Sequence, residues 1–233
     1  MIVFGGIEFT DIAPVKIEDI NVSPIQLNPV ARQRAIAFGS EFVRMGGGNR
    51  NITISFALLE INPTLREEYL QAIRDWTQIG RELSLELPEF STRHLECVAT
   101  QLPDYSYRKW WENKLKIVFT CYNNPFWTSN NLMEVNCGTP FSVNGSAPPL
   151  MTIERRNNAQ VANQSYTDGT DSMFFTLIPS GSMVIDLNRQ TAVVAGASIM
   201  RYYEPTSGWI KPKTGANQNI RGTGVVKYRE RWV

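Results

Sequence analysis

The sequence has a single histidine, His94, and that scarcity limits its chemistry first. Any Ser/His or Cys/His nucleophilic arrangement would have to be built on this one ring. Cysteine is also scarce: Cys97, Cys121 and Cys137 are odd in number and widely spaced, which excludes the framework of a disulfide-stapled secreted domain. They read as reduced, partly buried apolar side chains. Charge of one sign is lacking too. Lys and Arg total 23 against 22 Asp and Glu, a formal net charge of +1, so no long-range field draws the chain to nucleic acid or an anionic membrane. No run approaches the roughly 20 apolar residues needed to cross a bilayer. The N-terminus lacks the basic, apolar and small-residue regions of a secretory signal, and the expected site of folding is a cytoplasm. Without a secretory route, the N-x-Ser/Thr triplets at Asn51, Asn144 and Asn163 carry no weight.

Nucleotide and hydrolase motifs are missing as well. Gly46-Gly47-Gly48 leads into a strand pattern, whereas a phosphate loop leads into a helix N-terminus. There is no G-x-S-x-G elbow, internal repeat or low-complexity tract.

What is present is a folded chain of 233 residues, 42% of them hydrophobic, enough for one large or two small domains. Its clearest stretch runs from Arg50 to Leu87. Ile52, Ile54, Phe56 and Leu58 recur at every second position, the period of a half-buried strand. Asn62 is a good N-cap and Pro63 suits the first helical position, with Glu67 and Glu68 toward the positive end of the helix dipole. Leu65, Tyr69, Ile73 and Trp76 mark the expected buried face of a helix at about 63–79, closed by Gly80. Leu83, Leu85 and Leu87 then alternate with polar residues as a second strand.

Upstream, Ile2, Phe4, Ile7 and Phe9 flank Gly5-Gly6 as a strand broken by a bulge or tight turn. The prolines between Asp11 and Val30 predict an extended connection with one short strand. Arg34 to Arg44 reads as a strand pair or one bent strand, and the glycine run after it as a hairpin turn into Ile52. Downstream, Leu95 to Ala99 and Leu115 to Cys121 are strands expected in the same sheet system. A turn-rich stretch from Pro125 to Asn131 places a domain boundary, giving domains 1–130 and 131–233. The second has no convincing helix. Strand candidates at Leu150–Ile153, Val161, Met173–Ile178, Met183–Leu187, Ala192–Ile199 and Val225–Tyr228 predict an all-β sandwich, with hairpin turns at Pro179–Ser182 and Asn188–Gln190.

Candidate chemistry is thin. His94 and Cys97 stand three apart on a strand and so face opposite ways, which excludes a shared metal and leaves a structural histidine. Asp168 and Asp171 read as loop charges, and Glu67-Glu68 as helix-dipole partners. The aromatic connection holding Tyr105, Tyr107, Trp110 and Trp111, with Arg108 and Lys109, suits partner contact, loop packing or stacking on a ligand. Trp209 is a further possible sugar-stacking surface. No catalytic, cofactor or metal site is expected.

A family resemblance rests on the order of weak motifs. They are Arg50-x-Ile52-Thr53-Ile54-Ser55-Phe56, the helix end Ile73-Arg74-Asp75-Trp76, and the strand from Leu83 to Leu87 before Pro88. In the second part they are Asn136-x-Gly138, Pro149-x-Met151-x-Ile153, Gly181-x-Met183-x-Ile185-Asp186, Trp209, Thr214-Gly215-x-Asn217-x-Asn219-Ile220 and Tyr228-Arg229-x-Arg231-Trp232. Together they resemble the distal tail proteins of long-tailed, siphovirus-like bacteriophages over nearly the whole chain. The resemblance implies a mainly β fold, with an N-terminal β-sandwich-like domain carrying one packed α-helix, followed by a galectin-like all-β sandwich. It further implies a non-enzymatic virion protein that forms a homo-hexameric ring at the tail tip. Its partners would be the tail tube protein, the tail-tip hub protein and receptor-binding or side-fibre attachment proteins, and its synthesis would take place in the host bacterial cytoplasm. Neither membrane nor sequence-specific nucleic acid is an expected partner. Arg44, Arg50, Tyr105, Tyr107, Trp110 and Trp111 are the expected interface residues. The second domain lacks histidine, so the sugar-binding signature of true galectins is absent, and no long insertion houses an extra carbohydrate module. The alternative is a non-catalytic carbohydrate-binding module for host-surface recognition, with Trp209, Asn217 and Asn219 as its platform.

Overall fold

The structure, a computed structural model, describes residues 1–26, 28–33, 40–46, 48–78, 80–103 and 114–233, with only the backbone described at 28–33 and 40–46. The chain is mainly β and separates into two compact units, Met1–Trp127 and Thr128–Val233.

The first unit opens with a hairpin. Strands β1 (Val3–Phe4) and β2 (Ile7–Glu8) pair Val3 with Glu8 and Phe4 with Ile7 around Gly5 and Gly6, whose φ of +59° and +82° only glycine adopts freely. A single helical turn, α1 (Phe9–Ile12), leads to β3 (Val15–Val22). That strand is eight residues long, where a short one was expected. Pro14 and Pro24 lie outside it, so neither removes a ladder hydrogen bond. Strands β4 (Asn28–Gln33) and β5 (Ser40–Gly46) pair with each other. The expected hairpin from the glycine run is therefore not formed, because β6 (Arg50–Leu58) pairs with β3 and β9 instead.

After the helix α2 (Pro63–Thr77) come β7 (Leu83–Glu86), β8 (Arg93–Gln101) and β9 (Leu115–Cys121). The antiparallel order is β2-β1-β7-β8-β9-β6-β3. The first half of β8 pairs with β7 and its second half with β9, which is how one strand carries pairing around a corner. Ile52, Ile54, Phe56 and Leu58 are fully buried, as period-two alternation predicts, and so are Leu95, Cys97, Ile117, Phe119 and Cys121.

The helix starts as the sequence dictates. The Asn62 Oδ1 accepts the Thr64 N–H at 3.0 Å, and Pro63 occupies the first position. Its buried face differs from expectation. Arg66, Leu70, Ile73, Trp76 and Thr77 point inward, Leu65 is exposed and Tyr69 half-buried. The displacement follows from Arg66, whose stem lies in the core while Nη1 donates to the Glu60 carbonyl at 3.0 Å. Glu67 and Glu68 fall beyond the first turn. Gln78, not Gly80, provides the left-handed C-cap at φ +43°, and its N–H donates to the Asp75 carbonyl.

Strand β10 (Trp127–Ser129) spans the division between the units. The second unit continues with β11 (Met133–Asn136), β12 (Phe141–Val143), β13 (Ala147–Asn157), β14 (Val161–Thr167) and β15 (Ser172–Ile178). It closes with β16 (Gly181–Asp186), β17 (Thr191–Val194), β18 (Ala197–Ser198), β19 (Gly215–Gln218) and β20 (Val225–Trp232). One antiparallel sheet runs β11-β20-β13-β16-β17-β18, while β14 pairs with β15 and β12 with β19. Among the described residues its only helical pieces are 3-10 turns at Met200–Tyr202 and Pro205–Ser207.

Asn188–Gln190 turns β16 into β17, as expected. Pro179–Ser182 is not a hairpin turn, since β15 pairs with β14 and β16 with β13 and β17. Ala192–Ile199 is two strands rather than one. Ala195 and Gly196, at φ +47° and +82°, fold β17 back on β18. Met151, Ile153, Tyr166, Met173, Phe175, Ile185, Trp209 and Val226 belong to one buried core.

Candidate functional site

Of the six expected interface residues, the structure fully describes one. Arg50 begins β6 opposite Cys121 and shares the inward face of Ile52 and Ile54. It is 5% exposed, so it is a core cation rather than a loop residue reaching for a partner. Nε and Nη1 have no hydrogen-bond partner among the described residues, and burial lowers its pKa, with Cys121 acting the other way. The Arg44 backbone lies in β5 near Val30, but its side chain lies outside the described residues, as do Tyr105, Tyr107, Trp110 and Trp111.

The expected sugar platform does not assemble. Trp209 is 8% exposed; its Nε1–H donates to the Leu187 carbonyl at 3.1 Å, and its ring meets Tyr203 edge-on at 5.2 Å. Such a ring has no free face on which a sugar could stack. Asn217 is exposed at φ +57°, and the half-buried Asn219 directs Nδ2 at the Gly138 carbonyl. The three residues are near in sequence, yet burial of the indole removes their common function.

Asp168 is committed to structure. Asp168 Oδ1 accepts the N–H groups of Thr170 and Asp171 at 2.8 and 2.7 Å, and Oδ2 meets Lys213 Nζ at 2.9 Å. Burial works against its charge, but Lys213 and the two N–H groups outweigh it and hold the carboxyl below the usual range. His94 is half-buried and Cys97 fully buried. Among the described residues no three or more His, Cys, Asp or Glu side chains are grouped to hold a metal ion. No helix among them is long and apolar enough to cross a membrane.

Two surface features escaped sequence reasoning. On the face of the second unit's sheet, Lys227 Nζ lies 3.1 Å from Glu134 and 2.9 Å from Glu154, in an open concavity of about 390 Å³ that Arg155 and Arg156 also line. Lys227 faces Glu134 directly across β20 and β11, a proximity that only strand register creates. In the first unit, Leu59, Ile61 and Leu65 are exposed around the start of α2. Large apolar groups left in water near one another suit coverage by another protein.

No protein-family model and no curated protein matches the sequence. Among solved structures, the chain is similar to the SPP1 Dit protein, described as a paradigm of hub adsorption apparatus in Gram-positive-infecting phages. The identity is 14% and the TM-score 0.76, over 100% of this chain and 98% of that one. Two phage p2 baseplate structures in the activated conformation, with strontium and with calcium, give TM-scores of 0.42 and 0.41 at 9% and 8% identity. They cover 93% and 94% of this chain and 90% of each of theirs, and at that similarity they add nothing to the comparison. From end to end, through both units, the chain has the fold of the SPP1 Dit protein.

Proposed function

We propose that this chain is a structural virion protein: one subunit of a hexameric ring at the distal end of a phage tail tube, joining the tube to the tail-tip hub and host-binding components. The observation that carries the reading is the end-to-end likeness to the SPP1 Dit protein, which spans both units rather than one common β-sandwich. The order of motifs along the sequence supports the same reading. On this reading the protein is a non-enzymatic component of the virion. The first unit forms the ring, and the second, galectin-like unit faces outward. Arg44, Tyr105, Tyr107, Trp110 and Trp111 are proposed contact residues. Arg50 is not among them, because its side chain is buried.

Native mass measurement and negative-stain imaging of the purified chain test the proposal. The expected result is a ring near six times the 26.4 kDa of one chain, with gold-labelled antibody binding the tail tip of the virion. A stable monomer at high concentration, with label absent from the tail tip, overturns it. Specific glycan binding by such a monomer would favour the carbohydrate-binding alternative, which the burial of Trp209 already disfavours.

A further inference from the structure

We propose that Cys97 and Cys121 are a latent disulfide, closed by peroxide into a covalent link between β8 and β9. The strands are antiparallel neighbours with Val98 opposite Thr120 and Ala99 opposite Phe119, so Cys97 and Cys121 are the next residues beyond the end of this ladder, and their side chains meet there. Both side chains face the core and are fully buried, and the two thiols are in hydrogen-bond contact. Directly opposed residues of an antiparallel pair have Cα atoms about 4.5–5.5 Å apart. Disulfides span about 4.4–6.8 Å, a range that the neighbouring ladder spacing falls within.

The two sulfurs are not equivalent. On the far side of Cys121, β6 places Arg50 opposite it, a buried guanidinium whose Nε and Nη1 have no acceptor among the described residues. Arg50 interacts electrostatically with Cys121 across the β6–β9 ladder. Cys97 is pushed up by burial, then by its contact with Cys121, and stays a thiol. With Arg50 as its ladder neighbour, Cys121 is assigned as the sulfur that reacts first and Cys97 as the one that resolves.

The step balances with one peroxide. The Cys121 thiolate attacks one peroxide oxygen, the O–O bond breaks, and a sulfenic acid forms; the departing hydroxide takes up the proton Cys121 released, giving water. The Cys97 sulfur then attacks the Cys121 sulfur, the S–S bond forms, and the hydroxyl leaves with the Cys97 proton as a second water. Two thiols are oxidised and the peroxide is reduced. Because both sulfurs are buried, the reaction proceeds through local opening of the strands and is slow. Cys137 lies in the other unit and serves as an internal control.

The test uses the full chain treated with hydrogen peroxide under native conditions, followed by alkylation, proteolysis and mass spectrometry. The expected product is a peptide pair linked through Cys97 and Cys121 that separates on reduction, with Cys137 still alkylated. Cys97→Ser should leave Cys121 trapped as a dimedone-reactive sulfenic acid, while Cys121→Ser should leave Cys97 unmodified. Arg50→Gln should slow closure several-fold. If the wild-type chain keeps both thiols where a small free thiol is fully oxidised, or links either one to Cys137, the proposal is overturned. This wild-type result decides the matter whether or not the variants fold.

Discussion

The indole of Trp76 lies flat against the ring of Phe9, with centroids 4.7 Å apart and planes within 1° of parallel. The contact joins α2 to the turn that follows the N-terminal hairpin. Phe4 and Phe119 meet the same indole edge-on at 5.9 and 6.4 Å, and its Nε1–H donates to the Ile7 carbonyl at 3.2 Å. Trp76→Ala should therefore lower stability by about 3–5 kcal/mol, the usual cost of truncating a buried aromatic. Trp76→Phe should recover part of that loss. Urea titrations of both variants check this, and equal midpoints for wild type and Trp76→Ala would refute it.

Arg66 ties the start of α2 to the end of β6. Its Nη1 donates to the Glu60 carbonyl at 3.0 Å and reaches Leu58 at 3.5 Å, from a residue that is 4% exposed. Arg66→Ala removes the donor and the packed stem together. A loss of about 1.5–3 kcal/mol is expected from the charge-assisted hydrogen bonding alone. Arg66→Met should retain the packing and lose less. Amide exchange at Leu58 to Ile61 should quicken in both variants.

In the second unit, Gly222 stands at φ +150° with the Tyr166 ring where a Cβ would be. Tyr166 is fully buried, and its hydroxyl donates to the Thr223 carbonyl. Gly222→Ala forces either the ring or the backbone to move, so a loss of about 1–3 kcal/mol is expected. Gly169→Ala, at φ +90° with open space around it, should show backbone strain without the collision. Thermal unfolding followed by circular dichroism should rank Gly222→Ala the less stable.

Asp168 makes the second unit sensitive to acid. Its folded pKa is below its unfolded value, so the stability it contributes is present above the unfolded value, near pH 4. That contribution is lost as pH falls through the lowered folded value. Asp168→Asn should flatten this acid-side slope, and Lys213→Ala should move the Asp168 titration upward. Carboxyl titration by NMR reads the second effect directly. An unchanged Asp168 titration in Lys213→Ala would show that the 2.9 Å pair contributes nothing.

Several elements were legible because their cause is local. Alternation at Ile52 to Leu58 identifies a strand, and Asn62-Pro63 identifies a helix start, since each signal acts within a few residues. The face of α2 was less legible. Arg66 counts as polar in any hydropathy reading, yet its stem is apolar and its charge found backbone acceptors in the loop before it. Trp209 misled for the opposite reason. A tryptophan amid glycine, proline and lysine looks exposed, but its N–H found the Leu187 carbonyl across the fold.

The sequence by itself determined the class of the protein. Period-two patterning with one capped helix makes it mainly β. Tertiary structure decided which residues meet. Strand pairing brought Cys97 to Cys121, Arg50 opposite Cys121 and Lys227 between two glutamates drawn from other strands. The physical reason is that strand pairing joins residues with no local bond between them. Their proximity is set by the ladder and by the burial it enforces, neither of which leaves a periodic trace along the chain.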